Sequence, residues 1–132
     1  MAGLYLDSSA IVKLVTAEPE SRALFEFLRS YGDRISSVLA RVEVHRAIRR
    51  AQGTAAERRR ANLVLGRIAL LRIDDPILTA AARLAPTDLR PLDAIHLATA
   101  LSTTGGVAGM VTYDDRLARA AVAARVRVYA PA

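Results

Sequence analysis

Along the chain, apolar runs of a few residues that stop abruptly at acids or hydroxyls alternate with stretches whose apolar positions recur at helical spacing. The first kind reads as short buried strands, the second as amphipathic helices. Gly3-Leu4-Tyr5-Leu6 predicts a strand that closes on Asp7-Ser8-Ser9. Ala10, Ile11, Leu14 and Val15 outline a helix capped by Ser8 or Ser9 and ended before Pro19. Leu24, Phe27, Leu28 and Tyr31 mark one face of a helix over Glu20 to Tyr31, stopped by Gly32. A brief strand around Ile35 spans Arg34 to Ser37, and a helix from about Val38 to Gln52 places Leu39, Val42, Glu43, Ala47 and Ile48 close together on its surface. Gly53 breaks the chain, and Thr54-Ala55-Ala56-Glu57 is a capping box that opens a helix reaching about Ala69, with Ala61, Val64, Leu65 and Ile68 inward and Leu63 off the stripe.

Leu70 to Ile73 predicts a third strand. Asp75-Pro76 supplies a cap and a first-turn proline for a helix bearing Ile77, Ala81, Leu84 and Ala85. Pro91 to Leu101 is the next helix, with Asp93 in its first turn and His96 one turn on. Gly109 to Tyr113 is a fourth strand running into Asp114-Asp115, followed by a helix through Leu117, Ala120, Ala121 and Ala124. Val126 to Tyr129 closes the chain as an edge strand. Five short strands separated by helices predict an α/β fold, a three-layer α/β/α sandwich around a mostly parallel five-stranded sheet. Right-handed crossovers gather every βα turn at one edge of such a sheet.

Composition narrows the chemistry. At 132 residues, 52% of them hydrophobic, the chain suits one domain spanning residues 1–132. The absence of cysteine excludes a disulfide framework, a thiolate zinc site and a cysteine nucleophile, and fits a reducing cytoplasm. No basic leader precedes a long apolar stretch, and no run is long enough to span a membrane, so no membrane partner is expected. The net charge of +6 points to a polyanionic partner, with the arginines Arg46, Arg49 and Arg50 candidates for phosphate contacts.

Asp7 and Asp114 fall at the strand-end edge, and Glu43 and Asp93 lie in or near the first turns of helices that leave it. Each has a structural explanation when taken alone: Asp7 as a helix cap, Glu43 as an arginine partner, Asp93 as an acid at a helix N-terminus. His96 reads most simply as a packed, hydrogen-bonded residue. Together, four carboxylates within a few ångströms repel one another, and a divalent cation resolves the repulsion. Oxygen ligands alone favour Mg²⁺ or Mn²⁺ over zinc. A hard cation in a basic protein suits phosphodiester hydrolysis by an activated water.

Leu6-Asp7-Ser8-Ser9-Ala10-Ile11-Val12-Lys13-Leu14, Glu43 within a helix, Leu92-Asp93-Ala94-Ile95-His96-Leu97-Ala98-Thr99-Ala100 and Val111-Thr112-Tyr113-Asp114-Asp115-Arg116-Leu117 together resemble a PIN-domain ribonuclease of the VapC toxin type. The resemblance covers nearly the whole chain. It implies a Mg²⁺-dependent endoribonuclease toxin with Asp7, Glu43, Asp93 and Asp114 as the metal-binding acids and Ser9 and Thr112 as supporting residues. It also implies a homodimer acting on RNA and inhibited by a VapB-type antitoxin. Asp115 competes with Asp114 for the fourth place, as helper or replacement. A PIN-domain RNA-processing nuclease that is not a toxin is the nearest alternative reading. A haloacid dehalogenase-like phosphatase needs a second aspartate where Ser9 stands, and a receiver-like domain needs a late lysine, whereas the only lysine is Lys13.

Overall fold

The computed structural model describes residues 2–132. Its elements in chain order are β1 (Leu4–Leu6), α1 (Ser8–Val15), α2 (Ser21–Leu28), β2 (Arg34–Ser37), α3 (Leu39–Arg50), α4 (Ala55–Leu65), β3 (Ala69–Leu71), α5 (Asp75–Arg83), α6 (Pro91–Leu101), β4 (Gly109–Val111), α7 (Asp115–Ala123) and β5 (Val128–Tyr129). The strands form one sheet in the order β3-β2-β1-β4-β5, and every neighbouring pair is parallel. The sheet is therefore wholly parallel, because each connection carries at least one helix and can return the chain to the same starting edge.

The strand order reverses at β1: the chain first steps outward to β2 and β3, then crosses back to β4 and β5. With right-handed crossovers, the two directions put their helices on opposite faces. The packing follows suit. Leu4 and Leu6 share one core with Ile11, Leu24, Val44 and Leu65 from α1 to α4, whereas Tyr5, one residue out of phase, packs on the other face with Leu97 and Leu117 from α6 and α7. This is the three-layer sandwich, and the reversal leaves a crevice outside the carboxyl ends of β1 and β4.

Several local details depart from the pattern in the sequence. Asp7, not Ser8 or Ser9, caps α1, its side chain accepting from the Ala10 N–H, and Asp74, not Asp75, caps α5 by accepting from Ile77. The buried stripe of α3 is Ala40, Val44 and Ile48, while Val42 is 58% exposed. The phase of that helix is set where it starts: the Ser37 hydroxyl at the end of β2 accepts from the Leu39 N–H at 3.1 Å. Helix α4 has the expected capping box but ends at Leu65, because Gly66 begins the turn into β3. Strand β4 stops at Val111, since the Tyr113 N–H turns to the Ser9 hydroxyl at 2.9 Å. Val126 is not in β5; its N–H donates to Ala121 O at 2.9 Å after Arg125 takes a φ of +66°.

Candidate active site

The crevice is built on Asp7. Its backbone leaves β1 in extended conformation and at once starts α1, so its carboxylate stands where the strand ends. Asp7 is buried, at 4% exposure, and both of its oxygens are held. Oδ1 accepts from the Ser9 hydroxyl at 2.7 Å and the Ala10 N–H at 3.0 Å, and Oδ2 accepts from the Thr112 hydroxyl at 2.6 Å. Those two hydroxyls also tie β4 to β1. Ser9 Oγ accepts from the Tyr113 N–H, and Thr112 Oγ1 accepts from the Asp114 N–H at 3.1 Å. Ser9 and Thr112, the pair that the family resemblance implies, thus hold the Asp7 carboxylate from both sides. Burial pushes the Asp7 carboxyl above the usual aspartate range, against the opposing pull of the Thr112, Ser9 and Ala10 hydrogen bonds.

Asp114 is half-buried and caps α7, with Oδ1 accepting from the Leu117 N–H at 3.0 Å. Asp115 is exposed in the first turn of that helix. The cap is Asp114 and not Asp115: the extended backbone at Asp114 lets its short side chain reach the third N–H, and one residue later the backbone is already helical.

Asp93 projects from the first turn of α6 and is half-buried. Among the described residues its carboxylate has no hydrogen-bond donor and no ion-pair partner. Burial raises its pKa first, and the charges of Asp114, Asp7 and Glu43 raise it further, with His96 opposing them. Asp93 therefore feels the other three acids at this edge.

Glu43 is held differently. Its Oε1 accepts from the Ser8 hydroxyl at 2.5 Å and from His96 Nε2 at 2.6 Å. Burial alone would raise its pKa, but the His96 contact and the Ser8 hydroxyl hold it below the usual glutamate range. The Nδ1 of His96 lies 2.7 Å from the Tyr5 hydroxyl, and both rings are buried. An ionised Glu43 can only accept, so His96 donates to it from Nε2, while its Nδ1 shares a hydrogen bond with the Tyr5 hydroxyl. His96 is thus a packed residue with a site role, and Tyr5 is its anchor. The period-2 alternation of β1 was the available signal for Tyr5, since it sends that hydroxyl to the face opposite Leu4 and Leu6, where it needs a partner.

Among the described residues no three acidic or histidine side chains already stand around one common point at metal-ligand distance. The donor set nevertheless suits a hard cation. It offers carboxylate oxygens only, one of them on a half-buried Asp93 with no donor in a field of three like charges. Beside the acids, a cleft of about 420 Å³ is lined by Ser8, Ser9, Glu43, Arg46, Arg50 and Leu92, among others. Val12, Leu39, Val42 and Ala47 make much of this cleft apolar, and the carboxylates and arginines at its polar side can bind a divalent cation and a phosphodiester.

The PIN domain family model matches residues 4–123. Among curated relatives, Ribonuclease VapC46 of Mycobacterium tuberculosis is 48% identical over 131 residues, covering 99% of each chain. Ribonuclease VapC35 of the same organism is 44% identical, covering 97% of this chain and 96% of that protein. Among solved structures, the Mycobacterium tuberculosis VapC20 sarcin-ricin loop cleaving toxin superposes with a TM-score of 0.71 over 89% of this chain and 94% of that one, at 15% identity. A toxin-antitoxin complex from Klebsiella pneumoniae gives a TM-score of 0.72 over 98% of both chains, at 18% identity. At those identities the two structures bear on the fold.

Proposed function

The chain belongs to the PIN-domain family, and from that premise we propose that it is a metal-dependent endoribonuclease, the toxin of a VapBC-type toxin–antitoxin pair, with residues 1–132 acting as one nuclease domain. Asp7, Glu43, Asp93 and Asp114 hold Mg²⁺, with Mn²⁺ able to replace it. Asp115 lies outside the ligand set. When bound, the cation supplies charge neutralisation at the phosphate and an acidified water.

The chain's own residues do the rest. Ser9 and Thr112 fix the Asp7 carboxylate, and their hydroxyls cannot rotate away without breaking the β1–β4 tie. His96 and Ser8 hold Glu43 ionised and oriented. Arg46 and Arg50, on the cleft wall beside Glu43, bind the phosphodiester and draw the RNA to an otherwise acidic edge. The protein acts in the cytoplasm as a homodimer and is silenced by a VapB-type antitoxin; among the described residues no helix is long and apolar enough to cross a membrane.

The observation that carries this reading is the donorless, half-buried carboxylate of Asp93 amid three other acids at the strand-order reversal. Purified, antitoxin-free protein on total cellular RNA, with new 5′ ends sequenced, tests it. Discrete cleavage in Mg²⁺ that stops in chelator is expected; RNA left intact in Mg²⁺ would overturn the reading.

A further inference from the structure

The solvent side of α3 carries a band of positive charge that begins at the acids and runs away from them. At about 100° per residue, Arg50, Arg46 and Arg49 follow Glu43 around the exposed face of the helix, with the half-buried His45 next in turn. Arg46 is the divide between two cavities. On one side it lines the cleft that contains Ser8, Ser9 and Glu43. On the other it lines a second cleft of about 630 Å³, between the end of α3 and the start of α4, with His45, Arg49, Gln52, Gly53 and Arg58. With a rise of about 1.5 Å per residue, Arg46 and Arg49 lie roughly 4.5 and 9 Å beyond Glu43 along the helix.

Among the described residues no acid lines the second cleft. The nearby carboxylate, Glu57, is spent on the capping box, where Oε1 accepts from the Thr54 N–H at 2.9 Å. Among the described residues Arg22 is the arginine in an ion pair, so Arg46, Arg49 and Arg58 carry uncompensated charge. Two contacts make the cleft a built feature. Arg58 Nη1 donates to Gly53 O at 2.9 Å, which anchors the guanidinium and leaves its other N–H groups pointing elsewhere. His45 Nε2 is held 2.9 Å from Asn62 Oδ1, which pins α3 to α4.

We propose that this cleft, formed by Arg46, Arg49 and Arg58, is a subsite for the sugar–phosphate backbone of the RNA flanking the cut, so that the substrate strand runs from the acids down the outer face of α3. The inference rests on the ribonuclease reading and adds the strand's path to it. A nucleic-acid backbone fits better than an acidic peptide because the charges are forked guanidiniums continuous with the site of phosphodiester chemistry, and phosphates repeat along a strand as these arginines do along the helix.

The test is the salt dependence of binding. Single-stranded RNA is titrated with the Asp93→Asn protein, which is expected to bind without cutting, from low to moderate salt. It is titrated again with Arg46→Gln/Arg49→Gln/Arg58→Gln added, and with the charge-matched control Arg83→Gln/Arg119→Gln/Arg125→Gln added. Each lost phosphate contact lowers the log–log slope by about 0.7. The cleft variant should therefore lose about 2 from the slope and roughly tenfold or more in affinity at low salt, independent of RNA sequence. The control should keep the slope. Equal losses in both would reduce the effect to net charge and overturn the proposal. So would an unchanged slope in the cleft variant accompanied by lost binding of an oligoglutamate peptide, which would make the cleft a protein contact. All six substituted residues are exposed, so circular dichroism should show each protein folded. Wild type that cleaves RNA while the cleft variant keeps its slope fails this proposal alone; wild type that neither binds nor cleaves RNA fails the ribonuclease reading.

Discussion

His96 Nε2 lies 2.6 Å from Glu43 Oε1, and that bond joins α6 on one face of the sheet to α3 on the other, over the carboxyl end of β1. Tyr5, from β1 itself, completes the bridge through Nδ1 at 2.7 Å. A carboxylate on an exposed helix has many rotamers, and two fixed donors select one of them. Hydrogen-bonded supports of metal ligands typically change metal affinity or activity by about 10–100-fold when removed.

The bridge makes His96→Ala informative. It strands the buried Tyr5 hydroxyl, at about 1–3 kcal/mol, and frees Glu43 to point elsewhere. Denaturant unfolding should show that loss, and titration calorimetry should show Mg²⁺ affinity lowered by about 10–100-fold. Tyr5→Phe should cost stability but less metal affinity. Wild-type Mg²⁺ binding by a folded His96→Ala protein would remove His96 from the site.

Asp7→Asn replaces an acceptor-only carboxylate with an amide whose NH₂ faces a hydroxyl that was donating. RNA cleavage should fall by about 10²-fold or more, as expected when a preorganised charged group at a reaction centre is lost. Thr112→Val should lower cleavage less while still weakening the β1–β4 tie. A gel-based rate comparison on one RNA, with melting curves to show that both variants fold, decides this. A Thr112→Val protein weaker than Asp7→Asn would reverse the proposed order of importance.

Asp114 serves as both cap and acid, so its two roles separate by substitution. Asp114→Asn keeps a side chain able to cap α7 but removes the charge, and should lose activity with little loss of stability. Asp114→Ala should lose activity and about 1 kcal/mol of stability as well. Asp115→Ala should change neither much. Cleavage rates and denaturation midpoints for the three proteins test the assignment, and an Asp115→Ala protein less active than Asp114→Ala would overturn it.

Without metal, Asp93 is a source of instability. Its folded pKa lies above the unfolded value, as does that of Asp7, so folding binds protons and stability falls as pH rises above the unfolded range near 3.8. Glu43 acts oppositely: its depressed pKa gives stability that is present above about 4.5 and is lost as pH falls through its folded value. In chelator the contribution of Asp7 and Asp93 should therefore raise the melting temperature as pH falls from their folded values toward 3.8, and that gain should shrink in Asp93→Asn. Scanning calorimetry across that range reads both. The same profile in wild type and Asp93→Asn would remove Asp93 from the pH effect.

Metal should erase the same penalty. Binding only the folded state, Mg²⁺ at a hundredfold excess over Kd adds about 2.7 kcal/mol. Asp93→Asn should melt a few degrees above wild type in chelator yet gain less from millimolar Mg²⁺. If Asp93 served only the helix dipole, the variant would melt lower in chelator and respond to Mg²⁺ as wild type does.

Much of this protein is written in local sequence. The 2-residue and 3.6-residue periodicities place five strands and most of the helices, and Pro91-Leu92-Asp93 and the Thr54–Glu57 box set their helix starts without any tertiary help, because capping and proline geometry act within one turn. The order of strands and acids along the chain was enough to put Asp7 and Asp114 at one sheet edge. Side-chain partners across the sheet were not legible. Whether Ser8 caps a helix or donates to Glu43, whether His96 fills space or holds a carboxylate, and which way α3 is rolled all depend on which helix lies over which strand. Those contacts join residues as far apart as Tyr5 and His96, or Asp7 and Thr112. Local propensity has no information at such separations. Only the closing of α3 and α6 over opposite faces of one parallel sheet brings the buried hydroxyls, ring and carboxylates within hydrogen-bond reach, where burial makes each pairing obligatory.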